Sequence, residues 1–214
     1  MNCGLSNLTA LKNQILAPGL AVATDFDSDI QMVGLAVAGA FDSNCNRKFA
    51  FLADEQETVT GDRSHWYVNR FPFISFSKIE LQFFRTDAWT DISGQPVSQN
   101  PSTGLVHFGF TLGRSPLMVR LTYSGGYFFE TLEAADPGYP SVKPDGATAL
   151  PTDLQAMFFL QCKRVWESLD KIGDKISEVG PGEKGGRFEL GIGGLELAPI
   201  IKNFLSNKIR YQVT

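Results

Sequence analysis

The dominant pattern in the sequence is an apolar segment whose hydrophobic residues cover both sides of a predicted helix. The helix is predicted over residues 25–46, and Gln31 is the one polar side chain between Ile30 and Phe41. Its first face has apolar residues at helical spacing: Ile30, Val33, Val37, Phe41 and Cys45. Its second face is also apolar or small: Met32, Leu35, Ala36 and Gly39. Because a surface helix normally has a wet face, the second face is predicted to be buried in its own domain or against another subunit.

Three further helices are predicted from apolar spacing and from signals at their ends. One covers residues 8–16, with Ser6 or Asn7 as its N-cap. Another covers residues 151–170, and the last covers residues 198–208. The helix over residues 151–170 is predicted to bury one face, which consists of Leu154, Met157, Phe158, Cys162, Val165, Trp166 and Leu169.

The middle third of the chain changes to the period of two that is typical of strands with one buried face. Apolar residues alternate with mostly polar ones in two stretches: Ile79, Leu81 and Phe83, then Leu117, Val119, Leu121 and Tyr123. Turn signals separate several shorter strand candidates. The sequence therefore predicts an α+β fold. An antiparallel β-meander or barrel-like region over residues 48–127 is inserted into a helical core of residues 1–47 and 128–214.

Composition restricts the class of protein. The 214 residues are 43% hydrophobic and 20% charged, which supports a folded core. A net charge of −4, without a long basic run, argues against a sequence-independent grip on nucleic acid. Three widely spaced cysteines fit a reducing compartment. No signal peptide is expected from Met1–Leu11, and no apolar run reaches the roughly 18 residues of a membrane span.

Two segments resemble ligand-binding motifs. In both, the residues present fit a structural role better than a binding role. The acids within residues 25–29 resemble the opening of a calcium loop, but Ile30 and Ala36 stand where that loop needs Gly and Glu. They are predicted to cap the helix. The glycine-rich residues 180–194 include Lys184 but lack the order of a phosphate-binding loop, so a flexible linker within a mobile C-terminal arm is predicted.

The two histidines, His65 and His107, lie in strand candidates, and neither has further ligands at metal-binding spacing. No constellation of residues supports catalysis. The sequence therefore predicts no catalytic residue, no metal and no cofactor.

Several landmarks occur in a fixed order along the chain. The apolar helix ends in Phe41-Asp42-Ser43-Asn44-Cys45-Asn46-Arg47, and the stretches 70–81 and 119–127 follow. A helix then opens with Leu150-Pro151-Thr152-Asp153-Leu154, before a terminal segment from Leu197 to Tyr211. This ordered set resembles the head–tail connector proteins (adaptor or head-completion proteins) of long-tailed double-stranded DNA bacteriophages. The likeness covers about residues 8–214.

The resemblance implies a structural virion protein without enzymatic activity. Family members form a ring of about twelve copies under the portal, through repeated heterologous contacts. Such a ring extends the DNA channel, helps retain the packaged genome and contacts the next tail or neck protein. The expected location is the head–tail junction of the virion, after assembly in the host cytoplasm. The expected partners include no membrane. DNA is expected to pass through the lumen without sequence-specific binding, which the acidic charge balance suits.

Two sets of residues are predicted to contact other chains. The first set is the second face of the helix over residues 25–46, formed by Met32, Leu35, Ala36 and Gly39. Its small residues, together with Gly34 and Ala38, would let another helix approach closely. The second set is predicted to dock on the portal or on a neighbour: Ile200, Ile201, Phe204, Leu205, Ile209, Arg210 and Tyr211. The alternative for the terminal helix is that it covers the core of its own chain.

Other functions stay open at this level. Another phage tail or neck ring component, such as a tail terminator, belongs to the same structural class. A β-rich carbohydrate-binding module would use Trp66, Trp89 or Phe residues as an exposed platform. A hydrolase would combine a histidine with an acid, chosen from His65, His107, Asp62 and Asp87.

Overall fold

The computed structural model describes residues 2–16, 24, 26–60, 64–84, 86–95, 97–108, 118–130, 139–177 and 196–209, with the backbone alone for residues 170–177. Within these residues, four helices and nine strands in mainly antiparallel sheets confirm the predicted α+β class. The chain divides into two compact units. The helical unit includes Met1–Asn44 and Pro151–Lys208, and the sheet unit includes Cys45–Glu130 and Ala135–Leu150.

The helices are α1 (Leu8–Ile15), α2 (Asp27–Cys45), α3 (Thr152–Ser177) and α4 (Pro199–Ser206). Asn7 caps α1, since its side-chain oxygen accepts a hydrogen bond from the Ala10 amide at 2.7 Å. Asn46 follows α2 with φ of 50°, the left-handed conformation that commonly ends a helix. Pro199 occupies the first turn of α4, where its missing N–H costs nothing.

Helix α3 is longer than predicted, because it continues from residue 170 to Ser177. The sequence prediction ended it too early. Gly173 is the one strong helix breaker in that extension, and a glycine inside a helix costs only about 1 kcal/mol relative to alanine.

The helical unit has its own hydrophobic core. Its buried apolar residues come from the N-terminal segment and from all four helices: Cys3, Leu5, Leu8, Leu11, Ile15, Ile30, Val33, Val37, Phe41, Leu154, Phe158, Cys162, Val165, Ile201 and Leu205. The rings of Phe41 on α2 and Phe158 on α3 meet edge to face, with centroids 6.1 Å apart. The predicted buried face of α3 is confirmed at four positions, while Met157, Trp166 and Leu169 are half-buried.

The strands are β1 (Leu52–Thr60), β2 (His65–Tyr67), β3 (Phe73–Gln82), β4 (Thr90–Asp91), β5 (Val97–Asn100), β6 (Leu105–Phe108), β7 (Met118–Gly125), β8 (Tyr127–Phe128) and β9 (Thr148–Ala149). They form a four-stranded sheet in the order β1-β7-β3-β4, a three-stranded sheet β2-β6-β5 and a parallel pair β8-β9. Because β7 lies between β1 and β3, the order of the largest sheet differs from that of a simple meander.

Among the described residues, the predicted alternation places its apolar residues in the core of the sheet unit with one exception, and the predicted Leu117 lies outside the described residues. Ile79, Leu81, Val119 and Leu121 are buried in one cluster. Phe83 was expected to share that face and does not, because β3 ends at Gln82. A turn follows, in which the Asp87 carboxylate accepts a hydrogen bond from the Phe84 amide, and Phe83 is 56% exposed.

A buried carboxylate ties two central strands of the largest sheet together. Glu80 on β3 lies directly opposite Arg120 on β7. One carboxylate oxygen accepts bonds from Arg120 Nε and Nη2 at 2.7 and 2.6 Å, and the other contacts Lys78 Nζ at 2.8 Å. The hydrogen bond from Lys78, together with those from Arg120, lowers the pKa of the Glu80 carboxyl despite its burial. The ion pair therefore fixes strand register rather than supplying an acid.

Candidate subunit interface

The first face of α2 is buried within the helical unit, as its spacing predicted. Ile30, Val37 and Phe41 are fully buried. The N-terminal segment also crosses α2 very closely at Gly34, where a Cβ atom would lie 2.6 Å from the Cys3 carbonyl oxygen and 2.9 Å from Leu11 Cδ2. The close approach that Gly34 permits is therefore made by Cys3 and by Leu11 of α1 in the same chain, and not by a helix of another subunit.

The second face of α2 is exposed. Met32 is 64% exposed and Leu35 is 51% exposed. Gly39 is also exposed, and a Cβ atom built there meets nothing within 4 Å, while Ala36 is half-buried. All four predicted interface residues thus lie on one side of α2 without full cover from the described residues. Met32 and Leu35 are two large apolar side chains, each more than half exposed on the same side of one helix, and they form an apolar patch of the kind that marks interaction surfaces.

The acids at the start of α2 have different surroundings. Asp27 accepts a bond from Lys12 Nζ at 2.5 Å, and the Lys12 side chain is only 7% exposed, so this pair ties α1 to α2. Asp29 is exposed, and it forms no ion pair with any described residue. It lies one helical turn before Met32, so the second face of α2 carries a carboxylate at its N-terminal end.

A second apolar surface lies between α1 and α3. A cleft of about 380 Å³ is lined by Gln14 of α1 and by residues from one side of α3: Thr152, Gln155, Ala156, Phe159, Leu160 and Lys163. Leu160 is 49% exposed and Phe159 is half-buried. Lys163 is exposed at one end of the cleft and forms no ion pair within the described part of the chain.

Helix α4 places its predicted docking residues in two different environments. Ile201 and Leu205 are fully buried in the helical unit, so their side chains are not available to a partner surface. Ile200 is 62% exposed, Ile209 is 38% exposed and Phe204 is half-buried. Arg210 and Tyr211 lie outside the described residues. The accessible part of the predicted docking set is therefore smaller than the sequence indicated.

Gln161 of α3 holds the segment before α4 in place. Its amide nitrogen donates to the Glu196 carbonyl oxygen, and its amide oxygen accepts from the Ala198 N–H, each at 3.2 Å. The Gln161 side chain is almost fully buried. Sequence reasoning missed this residue, because a glutamine 35 positions away from Glu196 gives no local signal of such a contact.

The two tryptophans proposed for a carbohydrate platform are covered to different extents, while Phe83 and Phe84 are 56% and 60% exposed. Trp66 is only 8% exposed, and its ring packs against Phe108 with centroids 4.9 Å apart. Trp89 is half-buried, and the guanidinium of Arg120 lies 4.3 Å from its ring centroid. Trp66 therefore offers no bare face on which a sugar ring could stack, and the guanidinium of Arg120 occupies one face of Trp89.

The residues considered for catalysis do not converge on a catalytic arrangement. His65 and His107 face each other across β2 and β6. Asp87 is engaged in its own turn, and Asp62 lies outside the described residues. The thiol of Cys162 is buried, which raises its pKa and opposes a reactive thiolate. Within the described ranges, no three potential metal ligands lie together, and no helix is both long and apolar enough to span a membrane.

Comparison with known proteins adds a likeness in fold. No protein-family model matches the sequence, and no curated protein matches it. A chain in the structure of the neck of an empty gene transfer agent particle, computed with C6 symmetry, is similar with a TM-score of 0.56 and 14% identity. That match covers 100% of this chain and 95% of the other. A chain in the virion of a native gene transfer agent particle gives a TM-score of 0.52 and 12% identity over 98% and 92%. These matches show a shared fold over nearly the full length of both chains.

Proposed function

We propose that this protein is a structural subunit of a virion neck, which assembles into a ring adaptor between the portal and the tail. The observation that carries the proposal is the exposed apolar face of α2, in a chain that shares its fold with a chain from a particle neck. The ordered sequence landmarks support the same assignment. The ring extends the DNA channel and helps retain the packaged genome.

The α2 face gives the ring a source of binding energy. Complete burial of a Met or Leu side chain contributes about 1.5–3 kcal/mol. Met32 and Leu35 are each more than half exposed, so covering both contributes roughly 2–3 kcal/mol per contact. Gly39 and Ala36 add little area but let a neighbouring chain approach the helix backbone closely. The neighbouring subunit is therefore the proposed occupant of this face.

The ring is proposed to contain about twelve copies, as the connector resemblance implies. The C6 symmetry used for the similar neck is consistent with twelve copies arranged as six pairs, or with six copies. The accessible side of α4, marked by Ile200 and Phe204, is proposed to contact the portal or a neighbour. The next tail or neck protein is the proposed partner on the other side of the ring.

Packaged DNA is proposed to pass through the lumen without sequence-specific binding. The net charge of −4 opposes a strong non-specific grip on phosphate groups. The assembled protein should therefore show no retention of double-stranded DNA at physiological salt. Tight, salt-sensitive DNA binding by the ring would contradict this part of the proposal.

Native mass spectrometry of the purified chain, with and without the portal protein of the same particle, tests the proposal. We expect a closed oligomer at high concentration, or a portal complex with a fixed number of copies. A chain that stays monomeric at every concentration and ignores the portal would overturn the proposed function.

A further inference from the structure

We propose that neighbouring subunits of the ring meet through two different surfaces. The exposed face of α2 (Met32, Leu35, Ala36 and Gly39) in one copy occupies the α1–α3 cleft of the next copy, with Asp29 next to Lys163. This inference rests on the proposed ring function and names the surface that receives α2. It commits to a second copy of this chain as the occupant of both surfaces.

The two surfaces lie on different sides of the same unit. At about 3.6 residues per turn, Leu35, Ala36 and Gly39 fall opposite the buried stripe of Ile30 and Val37. The α3 residues that line the cleft lie on a different side of the helix from its buried stripe. Phe159 and Leu160 come one and two residues after the fully buried Phe158, so the helical turn points them away from it. A ring of many copies needs two distinct complementary surfaces on each chain, whereas a self-complementary face closes at a dimer.

The sizes of the two surfaces match. A cavity of about 150 Å³ accommodates a benzene molecule. The α1–α3 cleft measures about 380 Å³, which leaves room for both the Met32 and the Leu35 side chain. The cleft also presents apolar surface to them, through Phe159 and the half-exposed Leu160. Flexible methionine fits irregular apolar clefts of this kind well.

The charges are complementary in sign and in position. Asp29 lies one turn before Met32 on α2, and Lys163 lies one turn after Phe159 on α3. Each charge therefore stands at one end of its apolar surface. Both side chains are exposed, so the pair contributes mainly to register and to partner choice rather than to affinity.

A mixing experiment with two assembly-defective variants distinguishes this arrangement from a self-complementary one. Met32→Glu damages the α2 face and leaves the cleft intact, and Leu160→Glu does the reverse. Both positions are exposed, so both variants should fold like the wild type. Each variant alone should be monomeric, with an apparent dissociation constant raised at least about tenfold. An equimolar mixture should form a one-to-one dimer and no ring, because one good face and one good cleft remain.

The charged pair provides a second test that does not depend on the apolar contacts. Asp29→Lys and Lys163→Asp should each weaken assembly severalfold at low salt, and the double variant should recover most of the loss. A mixture of Met32→Glu and Leu160→Glu that stays monomeric, while the wild type forms rings, would overturn the face-to-cleft pairing and leave the proposed function standing. A wild-type chain that never assembles, alone or on the portal, would overturn the proposed function itself.

Discussion

Helices α2 and α4 both have apolar surfaces that the sequence analysis assigned to contacts with other chains. In the structure, the two surfaces differ in how far they are exposed. On α2 the assigned residues Met32 and Leu35 are more than half exposed. On α4 the assigned residues Ile201 and Leu205 are fully buried within the helical unit. The same apolar spacing therefore marks a free surface in one helix and a core contact in the other.

The difference lies in what covers each helix from elsewhere in the chain. The buried side of α2 already meets the N-terminal segment at Gly34 and α3 at Phe158, so its second side faces outwards. The buried side of α4 packs into the helical unit, and Gln161 holds the segment before it in place, while Ile200 remains exposed on the same helix. Apolar spacing alone therefore does not separate a core contact from an interface, because contacts from elsewhere in the chain decide which residues are covered.

The largest expected effect is on the buried side of α4. Leu205→Ala should lower the free energy of unfolding by about 2–5 kcal/mol, because it leaves a cavity in a packed core. Ile200→Ala on the exposed side should change it by less than about 0.5 kcal/mol. Chemical denaturation at a concentration where the chain is monomeric measures both. Equal losses for the two variants would show that α4 does not dock with this orientation.

The next largest expected effect on stability comes from a matched pair of glycines in α2. Gly34→Ala should destabilise the monomer by about 1–3 kcal/mol, since its Cβ would press on the Cys3 backbone and on Leu11. Gly39→Ala should stabilise the monomer by up to about 1 kcal/mol, because space is free there and alanine favours the helix. Thermal unfolding of the two variants gives the sign of each change. A loss of stability at Gly39 would mean that its side of α2 is covered within the chain.

A smaller effect is expected at Gln161. Gln161→Leu removes two hydrogen bonds to the segment before α4 and should cost about 1–2 kcal/mol. The loss should appear as about 5–30-fold faster hydrogen exchange in α4, with α1 unchanged. Gln155→Leu is the control, because Gln155 is only half-buried on the same helix. Uniform acceleration across both helices would show instead that Gln161 stabilises the unit as a whole.

Much of the fold followed from local signals in the sequence. Periodicity located α2 and its buried stripe, and turn residues such as Asn7 and Asn46 marked helix ends. Strand alternation located β3 and β7 but placed Phe83 inside, because the pattern cannot show where a strand stops pairing. The length of α3 was underestimated, because the sequence prediction ended at residue 170 and the helix continues to Ser177.

The candidate interface was predictable only in part, for a physical reason. The sequence shows that α2 has a second apolar face, but its exposure depends on long-range contacts such as that of Cys3 with Gly34. The α1–α3 cleft joins Gln14 to residues near Phe159, which lie far apart in the chain. No local pattern predicts a surface that forms only after two distant helices pack together.

The central claim is that the exposed face of α2 is the contact between neighbouring subunits of a ring. The most direct test is the native mass of the wild type, of Gly39→Glu and of the control Val142→Glu. The control adds the same charge at an apolar residue that is 76% exposed in the sheet unit. We predict rings for the wild type and for Val142→Glu, and for Gly39→Glu a folded monomer whose thermal stability equals that of the wild type at a concentration where the wild type is also monomeric. Rings of wild-type mass formed by Gly39→Glu, or loss of its fold, would contradict the account.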